Sequence, residues 1–544
     1  MVSIFKKNML ANLSLFLVTF LLAIYRFYWI ELADWGADQA TNLWLGYVKT
    51  IPELNIGLIS SQFIPNPNGM IIIGKFLSIF GSSINISLFL TLFNLYVLYL
   101  FLSSYFIEKN FDFYLFFLIG GSSILISSTA IEFWNQWILL TINLLIMTFI
   151  FRYVNNNKVK NLYILILLIP LPVFIYLGGL TNTLVFGIIF LYLIFKTYKQ
   201  TNINFLPLSL YTIFVAIVYW ILTFQKFFNT ISLNRLGSLN SLSIIDRVKY
   251  LLNNLLKLPD GLINTWSKKE KFVIFQTDSV ILNGSTEQLL EIFFQFHKIL
   301  PLLTITLFFY GFTTTLRKDE KSNNQTYNKK TNLLVFFISF SLVMSPIYGG
   351  PDFLIIQEKS NNLNQYYLFF ILIWYLLPFS FNNSEKSKNI LLLNRSFFTI
   401  FFVLNLILGI QIINNNKSFD TNIKTSIEAP LRDKIGVVDF IANEWINDNN
   451  SKSPSIEYNI FVSEMNWFDG HTDEFSRYYN PSPYTEGRVL DYELLIRYNL
   501  LNIYNQNIEP NFIVTNIFEP EPQLRDKILN HYKVGRLRVT KVDK

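Results

Sequence analysis

The chain contains no cysteine, and only three of its 544 residues are histidine: His297, His471 and His531. Disulfides, thiolate metal sites and cysteine nucleophiles are therefore excluded, and so is a histidine-rich metal centre. Charge is also scarce. Asp, Glu, Lys and Arg make up 15% of the residues, where a soluble chain of this length carries about a quarter. Three catalytic signatures are missing as well: there is no phosphate-binding P-loop, no GxSxG nucleophile elbow and no HExxH zinc motif. An ATPase, a serine hydrolase of that type and a zinc protease are disfavoured accordingly.

Apolar residues fill the space. The chain is 52% hydrophobic and 17% aromatic, with a mean hydropathy of +0.36. Repeated apolar runs of membrane-spanning length predict a polytopic α-helical membrane protein. About eleven transmembrane helices are expected, near 9–29, 84–106, 113–131, 137–151, 162–177, 182–196, 205–223, 298–315, 332–348, 364–381 and 396–414. The first run follows Lys6 and Lys7 and is read as a retained helix, because no small-residue cleavage site follows it.

The net charge of +7 does not indicate nucleic acid, because the basic residues follow a topological pattern. One set of loops holds Lys6, Lys7, Lys109, Arg152, Lys158, Lys160, Arg317, Lys318, Lys329, Lys330 and others up to Arg395. The short loops of the opposite set hold only Lys49, Lys75 and Lys359. By the positive-inside rule the N-terminus is cytoplasmic and, after eleven crossings, the C-terminus is outside.

Three regions do not read as spans, and all three fall on the outer side. The first, 31–83, suggests two short interfacial helices, Asp38–Thr50 and Pro67–Phe80. The second, 224–297, contains an amphipathic stretch near 243–257 that suits a helix lying in the interface. The third is the tail, 415–544, set apart from a transmembrane domain over 1–414. It alternates helix-like and strand-like segments: a helix over 432–448, a strand over 456–462, a helix over 490–504, a strand over 512–515, a helix near 521–532 and a strand near 536–541. That order predicts a small α/β domain large enough to hold its own core.

The densest polar signal lies where the first span ends. Glu31, Asp34 and Asp38 follow one another within eight residues, and Asp34 and Asp38 are one helical turn apart. A carboxylate partly desolvated under outer loops becomes a better general base. The plainer reading is that these acids mark the helix exit and that Asp38 caps a short helix. Glu132, in the very short loop Ala130–Trp137, either faces the same cavity or is a solvated turn residue. Arg26, one turn inside the first span, either snorkels to the headgroups or holds a lipid phosphate through its guanidinium fork. Arg235, Arg247, Lys249, Lys268, Lys269 and Lys271 in the long loop are weaker phosphate candidates, most of which a solvated face explains, and Lys359 in a short loop is another. In the tail, Glu464, Asp469, His471, Asp473 and Glu474 match no metal-ligand spacing.

The first loop resembles that of membrane glycosyltransferases of the GT-C superfamily, in particular the protein O-mannosyltransferase and aminoarabinose-transferase branch. Those enzymes carry an acidic motif, often Asp-Glu, just after the first span, then two interfacial helices and a Pro-containing segment ending near Phe-Gly. Here Asp38-Gln39 stands in the first place, and Ile64-Pro-Asn-Pro67 and Leu77-Ser-Ile-Phe80-Gly81 stand in the later ones. Asn364-Gln-Tyr366-Tyr367 is similar to the branch's Arg-Tyr segment but lacks the Arg. The resemblance implies a polyprenyl-phosphate sugar donor and an acceptor hydroxyl on a lipid, glycan or protein. It also implies transfer on the outer face of a bacterial plasma membrane, with Asp38 as base and Asp34 in reserve. A divalent metal is possible in this family, but Gln39 replaces the second carboxylate that would help hold one. The competing expectations are a transporter or lipid flippase, and a non-catalytic subunit of a glycan-assembly complex. Charges avoid the span centres and no internal repeat appears, which speaks against transport, while Pro170 and Pro172 within the fifth span and Gly178-Gly179 after it keep that alternative open.

Overall fold

The computed structural model describes residues 13–27, 37–53, 57, 66–106, 113–121, 135–200, 206–225, 325–349, 431–448, 453–459, 487–503, 509–517, 529–535 and 537–542, with a few isolated positions besides. The expected spans 298–315, 364–381 and 396–414 and the interfacial stretch 243–257 lie wholly or almost wholly outside the described residues.

The protein is mostly helical. The first run forms α1, Leu13–Phe27. The first loop contains α2 (Ala37–Val48) and α3 (Gly69–Leu77), and α3 runs through a 3-10 turn at Ser78–Phe80. Then come α4 (Ser83–Tyr105), α5 (Phe113–Gly120), α6 (Asn135–Asn156), α7 (Val159–Leu168), α8 (Leu171–Ile175), α9 (Leu180–Gln200), α10 (Leu206–Tyr219, prolonged by a π turn at Trp220–Phe224) and α11 (Gln325–Gly349). Among the described residues three helices are long and apolar enough to cross a membrane: Ser83–Tyr105, Ile138–Asn156 and Leu206–Thr223. The last is the least buried. Leu206, Leu210, Ile213, Phe214, Ile217 and Ile221 are all exposed along it, an apolar side left open at the periphery of the bundle. The fifth run is broken where expected: α7 gives way at Pro170, and α8 restarts with proline in its first turn.

Side-chain bonds fix the helix directions. Asn94 pairs with Thr141 (2.9 Å) and Asn155 with the Ser104 carbonyl (2.8 Å), so partners advance together and α4 runs parallel to α6. Asn182–Asn143 and Tyr153–Thr197 make α9 parallel to both. Asn157 in the left-handed region (φ 51°) ends α6 and turns the chain back into α7. The Tyr163–Tyr211 ring contact and the bond from the Tyr219 hydroxyl to the Leu167 carbonyl make α10 parallel to α7. Cations close helix ends: Lys330 of α11 donates to the carbonyls of Ser104 (2.9 Å) and Tyr105 (2.6 Å) at the end of α4.

The tail holds a four-stranded sheet with strand order β1-β2-β4-β3. The chain enters by α12 (Leu431–Asn447), forms β1 (Ile456–Asn459), crosses over through α13 (Gly487–Tyr498) to the parallel strand β2 (Phe512–Asn516), and ends in the antiparallel hairpin β3 (Leu529–Val534) and β4 (Leu537–Val542). The parallel β1–β2 pair needs a crossover connection, and α13 supplies it. Two expectations are corrected. Residues 529–534 are strand, not the end of a helix, and α13 stops at Tyr498, because Asn499 takes φ 55°. β3 was illegible as a strand because it is an edge strand exposed over 530–533, so it carries no inward-facing apolar alternation.

α13 is buried on two opposite sides. Val489 and Tyr492 join the core of the helical bundle, while Leu490 and Leu494 join the core of the sheet with Val438, Ala442, Phe512, Val514, Leu537 and Val539. α12 divides in the same way: Leu431 and Ile435 turn to the bundle, and Val437, Val438 and Ile441 to the sheet.

Candidate functional site at the first loop

The first loop folds as α2 packed against α3, close to the two helices read from the sequence. Glycine permits the contact. A Cβ on Gly46 would lie 2.5 Å from the Lys75 amide nitrogen, and one on Gly74 would lie 2.6 Å from the Asn42 carbonyl oxygen. The helices thus meet backbone to backbone. Lys75 then reaches from α3 to the end of α2 and donates to the carbonyls of Gly46 (3.0 Å) and Lys49 (2.8 Å). At Thr50 a small capping box forms: the Thr50 amide and hydroxyl both donate to Glu53 Oε2, at 2.6 and 2.8 Å. Those bonds hold the Glu53 carboxyl below its ordinary range.

The Pro-Asn-Pro-Asn-Gly stretch is an anchor. Asn66, Pro67, Asn68 and Gly69 are all buried. The Asn68 side-chain Nδ2 donates to the Leu222 carbonyl in the π turn (3.1 Å), and Gly69 lies so close to the Phe174 carbonyl of α8 that a Cβ there would collide with it. At the other end of α3, Gly81 takes φ 83° between the 3-10 turn and α4, a conformation that a side chain disfavours. The later parts of the motif thus have structural work: one seats the loop on α8 and α10, and the other turns it into α4.

The same end of the bundle receives the tail. The Tyr492 hydroxyl donates to the Gly81 carbonyl (2.6 Å), and the Ser83 amide donates to Glu493 Oε1 (2.6 Å). Burial pushes both groups up from their ordinary ranges, so the phenol stays a neutral donor. The end of α8, the π turn, the first loop and α13 therefore gather on one side of the helical bundle.

The sequence candidates distribute unevenly. Asp38 is the second residue of α2, inside the first turn rather than at the cap position. Asp34, Glu132, Arg247, Lys249 and Lys359 lie outside the described residues, as do Arg235, Lys268 and the acidic tail loop with His471. Arg26 does not snorkel. It is fully buried, with Nε and Nη2 donating to the Gly120 carbonyl (2.9 and 2.6 Å) and Nη1 to Asn94 Oδ1 (3.1 Å). Asn94 is near the middle of α4 and passes the network on to Thr141. Among the described residues no carboxylate pairs with Arg26, and no group of three His, Asp or Glu side chains could hold a metal ion.

The residues that organise this site and were missed in sequence are Gly46, Gly74, Lys75, Tyr492 and Glu493. Only α13 carried a usable signal. Its apolar residues fall on two opposite faces, 489/492/496 and 490/494, and a helix apolar on both sides is buried on both.

No protein-family model matches the chain, and neither does any curated protein or solved structure.

Proposed function

We propose that the chain is a membrane glycosyltransferase of the GT-C kind with about eleven spans. It would move a sugar from a polyprenyl-phosphate donor to an acceptor hydroxyl on the outer face of a plasma membrane. The N-terminus would be cytoplasmic and the tail an extracytoplasmic α/β domain. The observation that carries this reading is the folded first loop. Connectors between spans are ordinarily solvated, yet this one is two helices in backbone contact, anchored on α8 and α10, with Asp38 in the first turn of α2. The helix directions support it too, since the end of α8, the π turn after α10 and the start of α4 meet on the side of this loop.

The chemistry needs few parts. Asp38 takes the proton of the acceptor hydroxyl as its oxygen attacks the anomeric carbon. The carbon–oxygen bond to the phosphate breaks, and its electron pair stays on the phosphate oxygen. A polyprenyl phosphate leaves without a general acid, and attack opposite the leaving group inverts the anomeric centre. Because Arg26 is committed to Gly120 and Asn94, stabilising the departing phosphate falls to basic residues of the loops, Arg247, Lys249 and Lys359. Asp34 is the alternative base, and Glu132 would line the same cavity.

Asp38→Asn should abolish transfer of labelled sugar from a polyprenyl-phosphate donor in membranes while leaving expression and helicity intact. Unchanged turnover would remove Asp38 as base.

One observation favours a second reading. A guanidinium buried beside the middle of α4, with no carboxylate partner among the described residues, is a feature of transport pathways. Uptake or flipping of a lipid-linked sugar in proteoliposomes, undiminished in Asp38→Asn, would decide for it.

A further inference from the structure

α4 starts without a cap of its own: Ser82, its N-cap residue, makes no capping bond through its side chain. The carboxyl that accepts the first amide of α4, that of Ser83, is Glu493 Oε1, at 2.6 Å and from 410 residues further along the chain. Glu493 is fully buried, its second oxygen meets no geometric hydrogen-bond partner among the described residues, and the nearby Ser83 hydroxyl favours its ionised form. Its neighbour Tyr492 holds the Gly81 carbonyl at 2.6 Å. Two consecutive residues of α13 thus grip the turn that joins the first loop to α4.

The charged groups acting on Glu493 are few. Arg497, one turn along α13, favours the ionised form; Asp439 of α12 opposes it and is itself bridged to Arg497 at 2.8 Å. α4 carries no charged side chain. On the loop side Lys75 is held by the carbonyls of Gly46 and Lys49. The phenol of Tyr492, which burial pushes up, stays neutral beside it, with the Tyr47 phenol nearby. Burial is the largest influence on the carboxyl and raises it.

We propose that Glu493 is a protonation-controlled latch: with its carboxyl neutral the tail is held against α2 and the start of α4, and ionisation releases it. A neutral carboxyl accepts the Ser83 amide through its carbonyl oxygen and buries no charge. An ionised one is a buried charge whose loss of hydration outweighs what the Ser83 groups and Arg497 return. The positive end of α4 offsets part of that cost, so release is graded with pH. The sign follows from linkage. The docked carboxyl lies above its free value, so docking is strongest below the ordinary glutamate range. It weakens by up to about tenfold per pH unit as pH rises through the docked value.

The chain has no cysteine, so two nitroxide labels can be introduced cleanly at Val48→Cys and Lys533→Cys, both exposed. Pulsed electron paramagnetic resonance on the full chain in nanodiscs at pH 5, 7 and 9 reads docking directly and needs no activity. One narrow distance distribution at pH 5, with a broad population growing toward pH 9, is the expected result. Glu493→Gln keeps an acceptor for Ser83 and cannot ionise, so it should stay narrow throughout. A wild-type distribution unchanged from pH 5 to 9 overturns the latch, and so does a Glu493→Gln distribution that is broad or that follows pH as the wild type does. If Glu493→Gln does not accumulate, Ser83→Pro replaces it. Proline is accepted at the first position of a helix and deletes the donor, so the broad population must appear at lower pH; an unchanged midpoint refutes the proposal.

Discussion

Gly74→Ala should destabilise the first loop, although alanine is the better helix former. In an open helix the exchange stabilises by about 1 kcal/mol, because glycine loses more backbone freedom on folding. Here the added Cβ would stand 2.6 Å from the Asn42 carbonyl oxygen and 3.1 Å from its carbon, against 3.4 Å or more for an ordinary contact. Both neighbours are backbone, so no rotamer change relieves them; α2 and α3 must part. That costs about 1–3 kcal/mol as overpacking. It also stretches the two bonds by which Lys75 holds the end of α2, each worth about 1.5–3 kcal/mol as a bond to a charged group. The net expectation is a loss of about 2 kcal/mol, seen as roughly thirtyfold faster hydrogen–deuterium exchange in α2 and α3. Gly46→Ala should behave alike, since its Cβ would meet the same crossing from the other side at 2.5 Å. The double variant should cost less than the sum, because one separation relieves both clashes. Slower exchange in Gly74→Ala, the result for an isolated helix, would refute the backbone contact.

Three other outcomes are expected. Lys75→Met should leave the Gly46 and Lys49 carbonyls without their cation and open the end of α2 by about 1–2 kcal/mol, read as exchange confined to the amides near Leu45–Lys49. Gly535→Ala should destabilise the β3–β4 hairpin by about 1–2 kcal/mol, because Gly535 takes φ 59° in a two-residue connection. Exchange in β3 and β4 of the full chain measures it, and no change there would show that the turn tolerates a side chain. Raising pH past the ordinary lysine range should loosen α12 from β4. Lys541 bridges Glu444 and Asp448, both at 3.0 Å, and those bonds raise its ammonium. A raised cation contributes stability that is complete below its free value and is lost as pH climbs through the folded one. Lys541→Met should remove that alkaline step from the exchange profile of α12.

Hydrophobic run length and caps are local properties, and they were legible. α2, α3, α4 and α6 and the break at Pro170 stand within a few residues of where spacing and proline put them. So do β2, an apolar β-branched run buried over Phe512–Thr515, and β4, buried at Leu537, Val539, Thr540 and Val542. β3 was misread, because an exposed edge strand has no inward face to mark it. Asp38 was legible as a carboxylate at a helix start, but its chemistry rests on what surrounds it, which spacing along the chain does not specify.

What the sequence determined by itself is the apolar run pattern, the first loop's helices and the mixed order of the tail, since each follows from the period of the side chains and from proline and glycine. Only the tertiary structure decided that Arg26 turns inward to Gly120 rather than outward to headgroups, that Gly46 and Gly74 face one another, and that Glu493 begins α4. The physical reason is the same in each case. The partner of a buried polar group is chosen by whichever backbone atom the packed helices bring within 3 Å or so, and for Glu493 that atom lies 410 residues away.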